Sequence, residues 1–220
     1  MQPARILIVE DDPIASTLLA GWARHQGAAV TTVGSTAEAD TALDTWDFDL
    51  IISDVHLPGN DGLVWIEVVL ARPQPPPVIL ITGSPELTTT VRAANLPIAG
   101  YLLKPPDFAS LSALAQRLVA EHRHRRELRE LSRETAWLIT QLAGETDPLR
   151  DKLLQLSRCL MAEADQNPRL APQPVHDQPW RAMIADTIAT LEKTKHSFRS
   201  KELGQLRQRL ALALGGRAAA

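Results

Sequence analysis

The sequence predicts an α/β fold for its first half, a doubly wound five-stranded parallel sheet covered by helices on both faces, followed by an all-α second half. Three observations predict it. Up to about residue 120, five short and nearly continuous apolar runs alternate with amphipathic stretches, as buried parallel strands and their crossover helices require. Beyond that point apolar residues recur only at helical spacing. Charge divides the same way: residues 1–120 carry 6 Lys+Arg against 13 Asp+Glu, and residues 121–220 carry 17 against 13, an acidic unit followed by a mildly basic one. With 45% hydrophobic and 22% charged residues in 220, the chain has a globular balance; disorder is excluded, and 11 Gly and 16 Pro exclude a collagenous chain.

The elements follow in order. Arg5–Val9 (RILIV) is a buried strand, and Pro13–His25 has helical spacing through Ile14, Leu18, Leu19 and Trp22. Ala28–Val33 is a second strand, and Ser35 caps a helix running to about Thr45. Phe48–Ser53 is a third strand, followed by a turn at Leu57–Gly62 and a helix from Leu63 to about Ala71. After the Pro73–Pro77 loop come a fourth strand at Val78–Thr82, a short helix near Glu86–Ala94, a fifth strand at Ile98–Leu103 and a helix from about Asp107.

That last helix is expected to run past the domain edge at 120/121, through Leu111, Leu114 and Leu118 and the charged stretch Glu121–Glu127. Leu128, Leu131, Thr135, Leu138 and Leu142 resume the apolar stripe in a shifted register, and Gly144 ends it. Asp147-Pro148 opens another helix with Leu149, Leu153, Leu156 and Leu160 on one face. A Pro-rich loop at 167–179 follows, then stripes through Trp180, Met183, Ile184, Thr187, Ile188 and Leu191 and through Leu203, Leu206, Leu210 and Leu214, ahead of a frayed GGRAAA tail. Such stripes need one another in a bundle, or a second subunit. His122 and His124 read as part of a solvated helix face, nothing around His176 or His196 singles them out, and Cys159 reads as a small core residue.

A lone cysteine forms no internal disulfide, no apolar run approaches the roughly 18 residues of a membrane span, and no secretory signal is visible. A soluble cytoplasmic protein is expected.

In parallel α/β sheets, ligands sit beyond the carboxyl ends of the strands. Here strand one ends in Glu10-Asp11-Asp12, strand three in Asp54, strand four in Thr82 and strand five in Lys104. Neither a G-x-G-x-x-G turn nor a G-x-x-x-x-G-K-[ST] loop is present, which disfavours dinucleotides and nucleoside triphosphates. Clustered carboxylates repel and raise their own pKa values unless a cation sits among them. Mg2+ is the natural occupant, because it takes hard oxygen ligands and shares them with phosphate oxygens. Lys104 adds a point charge, Thr82 a hydroxyl donor, and Asp54 a carboxylate nucleophile able to form an acyl phosphate.

These residues carry a resemblance. ILIVEDD, SDVHLPGNDGL, ITGS and GYLLKPP, in that order at strand ends, are similar to the receiver (CheY-like) domain of two-component response regulators across residues 1–120. The resemblance implies a flavodoxin-like strand order 2-1-3-4-5, and Asp54 as acceptor of a phosphoryl group from a phosphohistidine on a sensor kinase or phosphotransfer protein. It implies Mg2+ held by Asp11, Asp54 and the His56 main-chain carbonyl, by Glu10 through water, and with Asp12 as a further candidate. It implies a cis Lys104–Pro105 bond, and a switch in which Thr82 moves toward the phosphoryl oxygens, Tyr101 turns inward, and the surface around the fifth strand and its flanking helices changes. Gly83 departs from the alanine usual there and widens the approach to the site.

The second half resembles no output family. Pro148–Met161 is apolar-striped where a DNA-reading helix is polar and basic, and nine aromatic residues in the chain give no stacking platform. A helical dimerisation or partner-docking module is therefore preferred to a DNA-binding reader. A phosphohydrolase using Asp54 is disfavoured, because such enzymes carry a second Asp two residues after the nucleophile, where this chain has His56, and no cap domain is evident.

Overall fold

The apolar runs become strands because β-branched and leucine side chains fit a sheet buried on both faces. The computed structural model describes residues 2–57, 63–83, 92–93, 95–141, 148–165, 184–189 and 201–215. Its elements are β1 (Arg5–Val9), α1 (Pro13–His25), β2 (Ala29–Val33), α2 (Thr36–Thr45), β3 (Leu50–Asp54), α3 (Val64–Leu70), β4 (Val78–Thr82), β5 (Gly100–Leu103), α4 (Phe108–Gln141), α5 (Pro148–Asp165) and α6 (Lys201–Gly215). The five strands pair in parallel in the order β2-β1-β3-β4-β5. Contacts divide the chain into two units, Met1–Arg123 and His124–Ala220.

Period-two alternation sends side chains to opposite faces of the sheet. Leu7, Val9, Ile51, Val78 and Leu80 pack with Ala39 of α2 and with Trp65, Ile66 and Val69 of α3. Ile6, Ile8, Leu50, Ile52, Ile79 and Ile81 pack with Leu19, Ala20 and Ala23 of α1 and with Leu111, Ala115 and Leu118 of α4. Each fully buried leucine or isoleucine contributes about 1.5–3 kcal/mol. Side-chain caps start the helices: Asp12 Oδ1 accepts from Ile14 N (2.8 Å) and Ser35 Oγ from Glu38 N (3.3 Å), while Asp107 accepts from Ala109 N (3.2 Å) and Ser110 N (3.1 Å).

Register brings the carboxyl ends of β1, β3, β4 and β5 side by side: Val9 pairs with Ser53, Asp54 with Ile81, and Thr82 with Leu103. In the second unit, Leu128, Leu131, Ile139, Leu153, Leu156, Leu160, Ile184, Leu206 and Leu210 bury against one another, so the inner stripes of these helices are spent on a shared core. Ser132 Oγ and Ser157 Oγ meet inside it at 2.9 Å.

Several expectations need correction. Ile14 and Leu18 are 78% and 52% exposed; the buried side of α1 is Leu19, Ala20 and Ala23, whose two methyls allow close approach to the sheet. His122 is buried rather than on a solvated face, because it falls one turn after Leu118 on the sheet-facing stripe, and His124 is half-buried. β3 begins at Leu50 rather than Phe48 and includes Asp54, and β5 begins at Gly100 rather than Ile98. Most of the expected Glu86–Ala94 helix lies outside the described residues, as do Gly144, Asp147, the Pro-rich 167–179 stretch, His176 and His196.

Candidate functional site

The residue after β1, Glu10, is drawn into the sheet edge by its amide, which donates to Val33 O at 3.0 Å. Its carboxylate is buried, and Lys104 Nζ lies 2.8 Å from Oε1 and 2.7 Å from Oε2. The same ammonium reaches Asp54 Oδ2 at 2.5 Å. Asp54 closes β3 and is nearly buried; its Oδ1 accepts from the His56 amide at 3.1 Å. Lys104 itself is tied back by its amide, which donates to Thr82 O at 2.8 Å, and its bond to Pro105 is cis.

Glu10, Asp11 and Asp54 bring carboxylate oxygens within 4.8 Å of one another, with Asp11 on the solvent side. Three hard oxygen donors converging from two strand ends, one of them open to water, fit a divalent cation such as Mg2+. Asp12 is not brought in, since its carboxylate is taken up by the first turn of α1. The His56 side chain faces solvent. Thr82 is fully buried at the end of β4. A methyl group at Gly83 would stand 3.8 Å from Lys104 Cδ, ordinary contact, so the glycine leaves one side of the lysine stem uncovered. Tyr101 is half-buried against the α2–α3 core, and its hydroxyl is buried with no hydrogen-bond partner among the described residues.

The electrostatics follow from this packing. Burial raises the Glu10 pKa above 4.5, outweighing the lowering effect of Lys104. Burial alone would lower the lysine, but its hydrogen bonds to Asp54 and Glu10 win and hold its pKa above 10.5. Lys104 thus stays charged and offsets a carboxylate cluster that a cation would also stabilise.

Two contributors were not found by reading strand ends. Ser53 Oγ, fully buried, donates to Asp54 O at 2.8 Å and fixes the peptide that carries the carboxylate; a hydroxyl inside an apolar strand was the available signal. The direct Glu10–Lys104 pair had no sequence signal, since the two lie 94 residues apart.

A parallel sheet in this order, with acids on one strand end and a lysine on another, is the CheY-like receiver fold. The chain belongs to the response regulator receiver domain family, whose model matches residues 6–116. A CheY-like response regulator receiver domain protein from Methanospirillum hungatei JF-1 has a TM-score of 0.51 at 24% identity, covering 56% of this chain and 98% of that one. The signal receiver domain of an HD domain-containing protein from Pseudomonas fluorescens Pf-5 also has a TM-score of 0.51, at 30% identity, with 56% and 98% coverage. Among curated proteins, the DNA-binding transcriptional regulator NtrC of Escherichia coli (strain K12) is 28% identical over 151 residues, 69% of this chain and 32% of that protein. The transcriptional regulatory protein TcrA of Mycobacterium tuberculosis is 34% identical over 117 residues, 51% of this chain and 46% of that protein. The chain therefore spans from about a third to about half the length of these relatives. No described helix is long and apolar enough to cross a membrane.

Proposed function

We propose that the protein is a phosphoacceptor of a two-component relay, acting in the cytoplasm, in which Asp54 takes a phosphoryl group from a phosphohistidine of a sensor kinase or phosphotransfer protein. The observation that carries the reading is the single ammonium of Lys104 between Asp54 and Glu10, beside the open Asp11 carboxylate. One Asp54 oxygen forms the new P–O bond as the donor's P–N bond breaks and the imidazole leaves with the bonding pair. Lys104 turns from carboxylate to phosphoryl oxygen, and the Thr82 hydroxyl donates to another, so developing charge meets preorganised donors. Mg2+, when held by Asp11, Asp54 and the His56 carbonyl, with Glu10 acting through water, supplies the remaining positive charge. The half-buried Tyr101, whose hydroxyl has no hydrogen-bond partner among the described residues, serves as a switch that follows Thr82. The protein is a signalling switch, with at most slow self-dephosphorylation.

The output belongs to residues beyond 120. Because the described inner stripes pack on one another, a partner or a second copy of the chain meets the outer surface, where Trp137 and Leu212 are exposed. A second reading, a DNA-binding regulator, is favoured by the similarity to NtrC, a DNA-binding transcriptional regulator, and to TcrA, a transcriptional regulatory protein. Retention of the phosphorylated protein on DNA fragments, weakening steeply with salt, separates it from the first.

Acetyl phosphate with Mg2+ is expected to add one phosphoryl group to the intact protein, detected by intact mass, and none to Asp54→Asn or in the presence of EDTA. Lys104→Ala is expected to keep some labelling while losing the phosphorylation-dependent change in oligomer size. Labelling that persists in Asp54→Asn overturns the reading.

A further inference from the structure

At the amino edge of the sheet, on the opposite end of β3 from Asp54, a second charge pair, between a buried Asp49 and a half-buried Arg123, takes no part in the proposed transfer. Asp49 immediately precedes β3 and is 3% exposed. Its amide donates to Arg5 O (2.8 Å), and its Oδ2 accepts from Arg5 N (2.9 Å) and Arg123 Nη2 (2.7 Å). The guanidinium also donates to Gln2 O (2.9 Å) and Pro3 O (2.7 Å). One planar fork therefore ties α4 to the strand that ends in Asp54 and to the chain entering β1, and a lysine ammonium cannot reproduce that geometry.

The position of this pair along α4 is what gives it meaning. Leu111, Ala115, Leu118 and His122 are buried in the first unit, whereas Leu128 and Leu131 belong to the helical core. Arg123 is the last residue of the first unit. Apolar contacts are non-directional, whereas a charge-assisted hydrogen bond from Arg123 to a buried carboxylate fixes a direction. At the other end of this stretch Asp107 caps α4 three residues after Lys104. That cap orders only the first turn of the helix; Ser112 Oγ accepts from Trp22 Nε1 of α1 at 2.9 Å, so directional contacts hold α4 there and again about 16 Å further along its axis, at Arg123.

We propose that Arg123 and Asp49 form the joint that holds α4 where it leaves the receiver, so that a change at Asp54 reaches residues 124–141 only while the joint is closed. With the joint open, displacement of the helix start dissipates in local pivoting and sliding. The proposal rests on the reading of Asp54 as phosphoacceptor.

The test uses the full chain with Mg2+ and beryllofluoride, a stable stand-in for the phosphoryl group. Hydrogen exchange is followed over residues 124–141, and acetyl phosphate labelling is measured in parallel. The wild type is expected to show a beryllofluoride-dependent difference in exchange. Arg123→Met is expected to reduce that difference at least fivefold, with the labelling rate within twofold of wild type. Asp49→Asn keeps an acceptor for the Arg5 amide but removes the charge; it is expected to do the same, and it decides the matter if Arg123→Met does not fold. An undiminished difference in Asp49→Asn overturns the proposal. So does loss of labelling in both variants, since the pair would then serve only to hold the receiver together. A labelled wild type with no difference over 124–141 also overturns it. Failure of the wild type to label at all is instead a failure of the phosphoacceptor reading beneath it.

Discussion

At the scale of single residues, Lys104 decides what the acidic edge can be. Glu10, Asp11 and Asp54 crowd their carboxylates within 4.8 Å, and the lysine is the positive charge among the described residues that meets two of them directly. Its pKa is raised in the folded chain, so its contribution to stability is complete below 10.5 and is lost as pH rises through the higher folded value. Glu10 acts in the same direction in a more acidic window: its raised pKa means that stability falls as pH rises from 4.5 through the folded value. Lys104→Met is therefore expected to remove one component of the alkaline loss of stability, seen as a flatter fall of the urea midpoint above pH 10.5 than in wild type. An identical alkaline limb in both proteins would contradict the pairing. Chemistry-bearing residues at strand ends were legible because parallel sheets dictate where to look. Asp12 was not separable from its neighbours, because three consecutive acids read alike and only the start of α1 decides which one turns away to cap it.

At the scale of elements, α4 does most to join sequence to architecture. It packs so closely on β5 that a methyl group on Gly100 would lie 2.8 Å from Leu114 Cδ2. Gly100→Ala is expected to destabilise the protein by about 1 kcal/mol, the lower end of overpacking costs, because the leucine tip can rotate away. A lowered urea midpoint with unchanged slope checks this, and no change would mean that the helix stands further from the strand. Strand positions were readable to within two residues, since buried β runs are bounded by loops. The burial of helix faces was less so. Small Ala20 and Ala23, rather than Ile14 and Leu18, face the sheet, and hydropathy alone ranks them the other way. The stretch from Glu121 to Glu127 reads as solvated, yet His122 is buried and Arg123 reaches Asp49, because long cationic stems cover apolar surface while their heads find fixed acceptors.

At the scale of the whole molecule, the division into an acidic and a mildly basic half corresponds to different kinds of interior. The first unit has a core on each face of its sheet, and the described helices of the second share a core with one another. The leucine spacing of the second half reads as burial without naming its partners, since the same spacing serves a bundle or a dimer; Ile184, Leu156 and Leu206 in one cluster answer for the described residues. On the proposed reading, the output of the second half depends on whether Asp54 carries a phosphoryl group. The most direct measurement is a crystal structure of the full chain with Mg2+ and beryllofluoride. Beryllium is expected to be bonded to an Asp54 carboxylate oxygen, with Lys104 Nζ moved from that carboxylate onto a fluoride and the cation among Glu10, Asp11 and Asp54. An unmodified Asp54 still paired with Lys104, in crystals whose solution holds both ions in excess, would contradict that expectation.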